Sequence, residues 1–551
     1  MDEAATARPS RIDSLILAGH RRGAELGALL GRPRVFAAVA VAGLAVGLLL
    51  IATLLRAQWF VLDEFDYLQP PSGQGYVGWL IQPHNEHTIF FTKLWFSSLY
   101  SVIGLNAYPV YAIPLLAAHA VVVVAVFLLL RTAGLPRLLA ALAAAAVLLM
   151  GAAAGTLTWA GQMQYTGSVA AGLVVALIAV RTPTRWTWAL ALGVSLFGTF
   201  NGSAYLSYAI AVGLILLLRR RWLLAAIVAL PAALWFVASR LLFDIPSDYA
   251  AHSAGQVLRD GATLAAAVLD RALLDTLKVP GITGAVLVVL ALGVLAFLNR
   301  PTAPSASRMV LATFLAIVLM SLAIIVIGRL SRPVVESSNG GYSYLLLVSV
   351  IPIVALLVHA FAWRTIAARL VVVLAFAIAI SVGFATMQHA AVSLAAWKQN
   401  SRSLIQGAAY LADTDFDAVD SATAAPDSAP TYTWLDISDA VDDGALSATP
   451  PSDFAAEMLS LNLQVGVKKD SSIPASACSP VAAGTTVTLP AGGTLVLVGD
   501  EVRGSTVTLT GADQGATRSF SVKSAGVALT SVASDPIAVT VDAAFGPCLT
   551  R

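Results

Sequence analysis

Three carboxylates fall within four residues at Asp63, Glu64 and Asp66, and a second polar knot, His84-Asn85-Glu86-His87, follows in the same segment. Like charges so close repel, which raises the proton affinity of at least one of them unless a cation or a basic group stands nearby. A carboxylate poised in that way can act as a general base. The plainer reading of the acids is the decoration of a helix N-terminus, which the helix dipole favours; the second knot, bracketed by apolar residues, argues for function instead. His84 and His87 also suggest a metal, but their spacing is not the His-Glu-x-x-His of zinc proteases and no third ligand stands nearby in sequence. A divalent cation, Mg2+ or Mn2+, held by Asp63, Glu64 and Asp66 is the one cofactor these oxygens suggest.

The elements that must position these groups are those of a membrane protein. Of 551 residues, 58% are hydrophobic and 12% charged, and the mean hydropathy is +0.81, which excludes an ordinary soluble enzyme. Residues 1–388 carry 25 Lys and Arg against 14 Asp and Glu, whereas residues 389–551 carry 8 against 17, so an apolar, basic part precedes an acidic module of ordinary composition. The positive charge lies in short clusters between apolar runs and forms no basic face, which excludes a nucleic-acid partner. Runs long enough for hydrocarbon predict eleven transmembrane helices, at 35–55, 106–130, 138–157, 165–180, 185–200, 203–218, 222–242, 281–298, 309–328, 342–361 and 369–388.

Arginine collects before the first span and then at Arg131/Arg137, Arg181/Arg185, Arg219-Arg220-Arg221, Arg300/Arg308 and Arg364/Arg369. Short cytoplasmic loops carry such an excess. Residues 1–33 are therefore expected to be a cytoplasmic basic N-terminus, residues 34–390 a transmembrane domain in the plasma membrane with a long outer loop at 58–100, and the C-terminal module extracytoplasmic. Within that loop, 88–100 reads as a helix lying along the membrane surface.

Polar residues also gather at the other ends predicted to face outward: Trp159, Gln162 and Gln164; Asn201-Gly202-Ser203; Arg240, Asp244, Asp248, Tyr249 and His252; Lys278; and Arg329, Arg332, Glu336 and Tyr342. Polar groups at membrane depth mark substrate paths. Arg329 and Arg332 run against the charge trend and suit a lipid phosphate, whereas Arg240 and Lys278 read as interfacial snorkelling.

Asp63-Glu64-Phe65-Asp66, Pro83-His84-Asn85-Glu86-His87, Trp159 with Gln162 and Gln164, and Phe200-Asn201-Gly202 together resemble the GT-C superfamily of polytopic glycosyltransferases, over about the first 390 residues. The resemblance implies an inverting transfer of sugar from a polyprenyl-phosphate carrier to a glycan or lipid-linked acceptor of the cell envelope. It implies Asp63 as base, with Glu64 second, and substrate binding by Asp66, His84, Asn85, Glu86, His87, Trp159, Gln162, Gln164, Asn201, Arg329, Arg332 and Tyr342. The chain departs from the superfamily's pattern where Gly341 precedes Tyr342 in place of a basic residue.

A polar helix and linker at 391–430 lead into the module at 431–551, whose alternating runs, beginning with Tyr432-Thr-Trp-Leu, predict a β-sandwich-like domain. Cys478 and Cys548, the chain's two cysteines, are expected to pair there. Two other functions fit the sequence: a transporter or flippase of a lipid-linked glycan, which calls for internal repeats and helices broken near mid-membrane, and a non-catalytic envelope assembly protein.

Overall fold

The computed structural model describes residues 32–550 except 72, 86, 182–183, 244–253, 278–282, 330–339, 416–428, 430–431, 433, 451–464, 470–477, 492, 512–516, 523–525 and 532–535. Helix α1 (Pro33–Leu55) opens on Pro33, whose fixed φ suits a first helical turn. A 3-10 turn (Leu62–Tyr67) and the short helices α2 (Tyr76–Ile81), α3 (Phe90–Ile103) and α4 (Tyr108–Tyr111) separate it from α5 (Ile113–Thr132). Then come α6 (Arg137–Leu148), α7 (Ala154–Leu157), α8 (Met163–Val180), α9 (Arg185–Asn201), α10 (Tyr205–Leu218) and α11 (Trp222–Leu242). The helical part closes with α12 (Ala254–Leu277), α13 (Thr283–Leu298), α14 (Ser305–Arg329), α15 (Gly340–Phe361) and α16 (Ile366–Asp415).

Among the described residues, eight helical stretches are long and apolar enough to cross a membrane: Pro33–Leu55, Ile113–Thr132, Arg137–Leu157, Ala160–Val180, Trp222–Leu242, Ser305–Gly328, Gly341–Phe361 and Ile366–Tyr410. They mark an integral membrane protein. The runs expected to span at 185–200, 203–218 and 281–298 are helices of 17, 14 and 16 residues, shorter than the roughly 20 that hydrocarbon requires. Asn201-Gly202-Ser203 separates the first two. Helix α8 packs along α5, α9 and α10. At Gly172 a β-carbon would lie 2.2 Å from the Tyr208 ring, so the absence of a side chain sets how closely α8 and α10 approach. Arg219 and Arg221 donate to the carbonyl of Ala179, and Arg300 to that of Ala360, so they satisfy carbonyls that helix ends leave without partners.

Two helical features depart from expectation. Helix α12 lies where only scattered polar residues were foreseen; it buries Leu264 and Val268, one turn apart, leaves Arg259 and Asp260 exposed, and packs on α14, α15 and α16. Helix α16 fuses the last predicted span with the polar helix after it into 50 continuous residues, about 75 Å at 1.5 Å per residue against about 30 Å of hydrocarbon.

Beyond α16 the chain turns back. Tyr432 meets the Tyr100 hydroxyl at 3.0 Å and the Phe65 ring at 5.2 Å, and Gln69 Nε2 donates to Asp436 on α17 (Trp434–Asp442) at 3.3 Å. The Leu105 N–H reaches the Ala445 carbonyl at 2.7 Å. Gly104, at φ +56°, lies where a β-carbon would stand 2.4 Å from that carbonyl oxygen. The Tyr432-Thr-Trp-Leu run expected as a strand thus leads into a helix that docks on the first loop.

Eight strands follow: β1 (Val465–Lys469), β2 (Thr486–Leu489), β3 (Thr494–Val498), β4 (Thr506–Thr510), β5 (Thr517–Ser521), β6 (Gly526–Ser531), β7 (Ile537–Val541) and β8 (Gly546–Thr550). They form two antiparallel sheets, ordered β1-β6-β3-β8 and β2-β7-β4-β5. Leu495, Leu497 and Leu529 of one sheet share an apolar cluster with Leu489, Leu509 and Val539 of the other, so the sheets face each other. Strands β4 and β7 alternate buried and half-buried residues, as sheets with one wet face do. Cys478 is disulfide-bonded, and Cys548 on β8 is the chain's one other cysteine.

Candidate active site

The 3-10 turn aims its three acids in different directions. It begins at Leu62, a non-glycine residue at φ +50°, a conformation that costs about 1–3 kcal/mol and persists only where surrounding contacts impose it. One such contact is the Val61 N–H donating to Glu64 Oε2 at 3.2 Å.

Glu64 is wholly buried. Its Oε1 accepts from the Tyr108 hydroxyl and from the Gly161 N–H, both at 2.9 Å. Tyr108 in turn accepts from the Ala160 N–H at 2.8 Å and from Lys398 Nζ at 3.4 Å. Lys398, also buried, donates to the Thr158 carbonyl at 3.3 Å and lies over the rings of Tyr108 and Trp159. Burial pushes the Glu64 carboxyl up; Lys398 and the three donors pull it back. The carboxylate that ranked second as a base is therefore enclosed in a knot joining the first loop, the start of α8 and α16, out of a substrate's reach. Trp159 belongs to that knot.

Asp63 and Asp66 lie on the open side. The Asp63 side chain is 48% exposed and Asp66 20%. Between them stands His84, its Nε2 3.6 Å from Asp63 Oδ2 and its Nδ1 3.6 Å from Asp66 Oδ2. The Tyr67 ring meets the imidazole at right angles, 5.3 Å away. Burial raises the Asp66 pKa to about 6, His84 and Lys93 opposing the rise and Asp63 adding to it. Lys93 is buried and donates to the carbonyls of Trp79 and Gln82, each at 2.9 Å; desolvation lowers its pKa to about 8.

His84 and His87 form an antiparallel bridge, exchanging N–H···O bonds of 2.8 and 2.9 Å, around a two-residue turn in which exposed Asn85 takes φ +52°. Asparagine tolerates that conformation, so Asn85 shapes the turn. Glu86 lies outside the described residues. His87 is hydrogen-bonded through Nδ1 to Ser203 Oγ and packs edge-on against Tyr165, and the next residue, Thr88, accepts from Trp235 Nε1 at 2.6 Å. One hairpin thus presents His84 to the acids and His87 to the helices.

Next to His87 a cleft opens between α8, α10, α11, α14 and α15. Its walls include Leu206, Phe236, Ile324, Ile325 and Leu345, and its polar lining His87, Tyr165, Ser203, Arg240 and Tyr342. Arg240, expected to snorkel at the interface, is the cation here, over the Phe236 ring at 5.6 Å. Arg329 ends α14 directly after the cavity-lining Gly328; Arg332, Asp244, Asp248, Tyr249, His252, Lys278 and Glu336 lie outside the described residues.

Gln164 and Asn201 are structural here. Asn201 Nδ2 donates to the carbonyls of Met163 and Gln164 at 3.2 and 2.9 Å and so ties α9 to the first turn of α8. Gln162 precedes that turn, half-buried.

For a divalent cation the donor set differs from the one expected. Glu64 is fully engaged, whereas Asp63, Asp66 and His84 each bring a ligand atom within 4.8 Å of the others. Lys398 and Tyr108 were missed by sequence reasoning. Lys93, Lys278 and Lys398 are the only lysines before Lys468, and that scarcity was the available signal. No protein-family model matches the chain, and no curated protein or solved structure is significantly similar to it.

Proposed function

We propose that the protein is an inverting glycosyltransferase of the GT-C kind, moving a sugar from a polyprenyl-phosphate carrier to a glycan or lipid-linked acceptor at the extracytoplasmic face of the plasma membrane. The observation that carries this reading is the 84–87 hairpin. It joins His84, which stands between Asp63 and Asp66, to His87, which lines a cleft apolar along the helices and cationic at Arg240, with the two histidines, as a bridged pair, about 5.5 Å apart at their α-carbons.

An amphiphilic donor matches that arrangement. The prenyl chain lies along Leu206, Ile324 and Leu345, the phosphate meets the Arg240 guanidinium, and the sugar reaches toward His84. Asp63, the most exposed of the three acids, accepts the proton of the acceptor hydroxyl as its oxygen attacks the anomeric carbon. The carbon–phosphate-oxygen bond breaks as the new glycosidic bond forms, the anomeric centre inverts, and the lipid phosphate departs held by Arg240. Leu62 and Asn85, two left-handed non-glycine residues flanking the acids, fit the strain that functional loops retain. The C-terminal sheets act on the same face, as a structural or docking module.

The transporter reading calls for helices broken near mid-membrane; Pro231 and Pro352 stand inside helices that continue past them, whereas the span Arg137–Leu157 is interrupted between α6 and α7. The test is sugar transfer by the purified chain in nanodiscs from a panel of polyprenyl-phosphate sugars. Asp63→Asn should lower turnover by about 10^2–10^4-fold while the protein stays folded. Donor binding with no transfer from any donor would overturn the proposal in favour of transport; an Asp63→Asn variant as active as the native chain would take the role of base away from Asp63.

A further inference from the structure

We infer that Asp63, Asp66 and His84 form a binding site for one first-row divalent cation of the Mn2+ or Zn2+ type. The first argument is distance. An N···O separation of 3.6 Å, seen from His84 Nε2 to Asp63 and from Nδ1 to Asp66, is too long for a hydrogen bond, which spans about 2.7–3.2 Å. Two donors sharing one ion at about 2.1 Å each stand roughly 3.0 Å apart at a right angle and 3.6 Å apart near 118°. The Nε2–Asp63 spacing fits two ligands of one centre; the other ring nitrogen points away from it, so Asp66 joins because one ligand atom from each of the three residues lies within 4.8 Å of the others.

The second argument is the state of the imidazole. Nε2 is shut off from solvent and has no hydrogen-bond partner, although buried ring nitrogens ordinarily find one. It is held there by construction, since both hydrogen bonds of the hairpin fix the His84 backbone and Tyr67 fixes the ring's orientation. A cation at Nε2 satisfies it. Charge adds a third argument: two carboxylates face this space, and the nearby ammonium of Lys93 is directed at the carbonyls of Trp79 and Gln82.

The donor set selects the metal. Two carboxylates alone suit Mg2+ or Ca2+, and adding an imidazole shifts preference toward Mn2+ and Zn2+. Asp63 contributes Oδ2 and keeps its other oxygen for solvent or substrate. Three protein ligands leave coordination positions open to an external oxygen. The site stands on these residues alone and does not depend on the transferase reading.

The experiment uses the full chain in detergent, stripped with EDTA and titrated with MnCl2 while electron paramagnetic resonance follows free Mn2+, with Zn2+ as competitor. The expected result is one Mn2+ per chain, displaced by Zn2+. Asp63→Asn, at the exposed side where folding is not at stake, and His84→Ala, checked for an unchanged melting temperature, should each weaken binding at least tenfold; His389→Ala, an exposed histidine on α16, should leave it unaltered. Failure to bind either metal at millimolar concentration, or binding that survives His84→Ala, would overturn the site. Sugar transfer by a protein that binds neither metal would sink the cation and keep the transferase; stoichiometric binding without transfer would do the reverse.

Discussion

Replacing Lys398 by methionine should expose how much of the first loop's order rests on one ammonium group. The side chain is 1% exposed, and methionine nearly fills the space of its stem while removing the charge. Glu64 is then left enclosed without a counter-charge. Breaking one side of a buried pair costs about 3–5 kcal/mol; because Lys398 meets Glu64 through the Tyr108 hydroxyl and by charge across the knot, and the carboxylate keeps its bonds from Tyr108, Gly161 and Val61, we expect about 3 kcal/mol, the lower end of that range. Adding Glu64→Gln should recover most of the loss. The glutamine oxygen still accepts from Tyr108 and Gly161, and the residue of the penalty is the Val61 N–H facing an amide nitrogen, about 1 kcal/mol. The two single losses together should therefore exceed the double loss by at least about 2 kcal/mol. Equilibrium unfolding of the full chain in detergent, followed by tryptophan fluorescence, measures all three variants. A Lys398→Met variant within about 0.5 kcal/mol of the native chain, the range of inert surface changes, or losses that simply add, would refute the pairing.

Arg240→Ala should raise the KM for a polyprenyl-phosphate donor by roughly 10- to 100-fold, since hydrogen bonds to charged groups are worth about 1.5–3 kcal/mol; a KM left unmoved in steady-state transfer assays would take the phosphate away from this arginine. Gly104→Ala should lower the melting temperature, because its φ of +56° and the Ala445 backbone 2.4 Å from a β-carbon leave alanine no unstrained place, at a cost above about 1 kcal/mol. Cys478→Ser should destabilise the sheet region by about 2–5 kcal/mol, seen as a lower melting temperature that dithiothreitol no longer changes.

What the sequence made legible was whatever carries a local signature. The apolar runs, the acidic triplet, the His84–His87 knot and strands such as Thr506–Thr510 announce themselves by length, charge or alternation. The helix α12 did not, because its charged and apolar residues alternate at helical spacing without forming a long apolar run. The run Tyr432-Thr-Trp-Leu reads as a strand by its aromatic and threonine residues; the helix Trp434–Asp442 that it enters docks on the first loop, and those contacts override that propensity. The roles of the three acids could not be separated by spacing at all. Glu64 differs from Asp63 because Tyr108, Gly161 and Lys398 surround it, and those partners come from distant parts of the chain. Arg240 likewise reads as an ordinary interfacial arginine until α11 is placed beside α10 and α14.

The Glu64 knot also bears on how the protein is made. Tyr108 and Lys398, which touch in the finished fold, are 290 residues apart, so at synthesis rates of about 5–20 residues per second roughly 15–60 s pass between their emergence. During that interval the first loop stands with its carboxylate unclosed and no ammonium to meet it. The site matures only when the last long helix arrives, and a chain truncated before Lys398 should assemble its early spans yet remain a target for quality-control proteolysis.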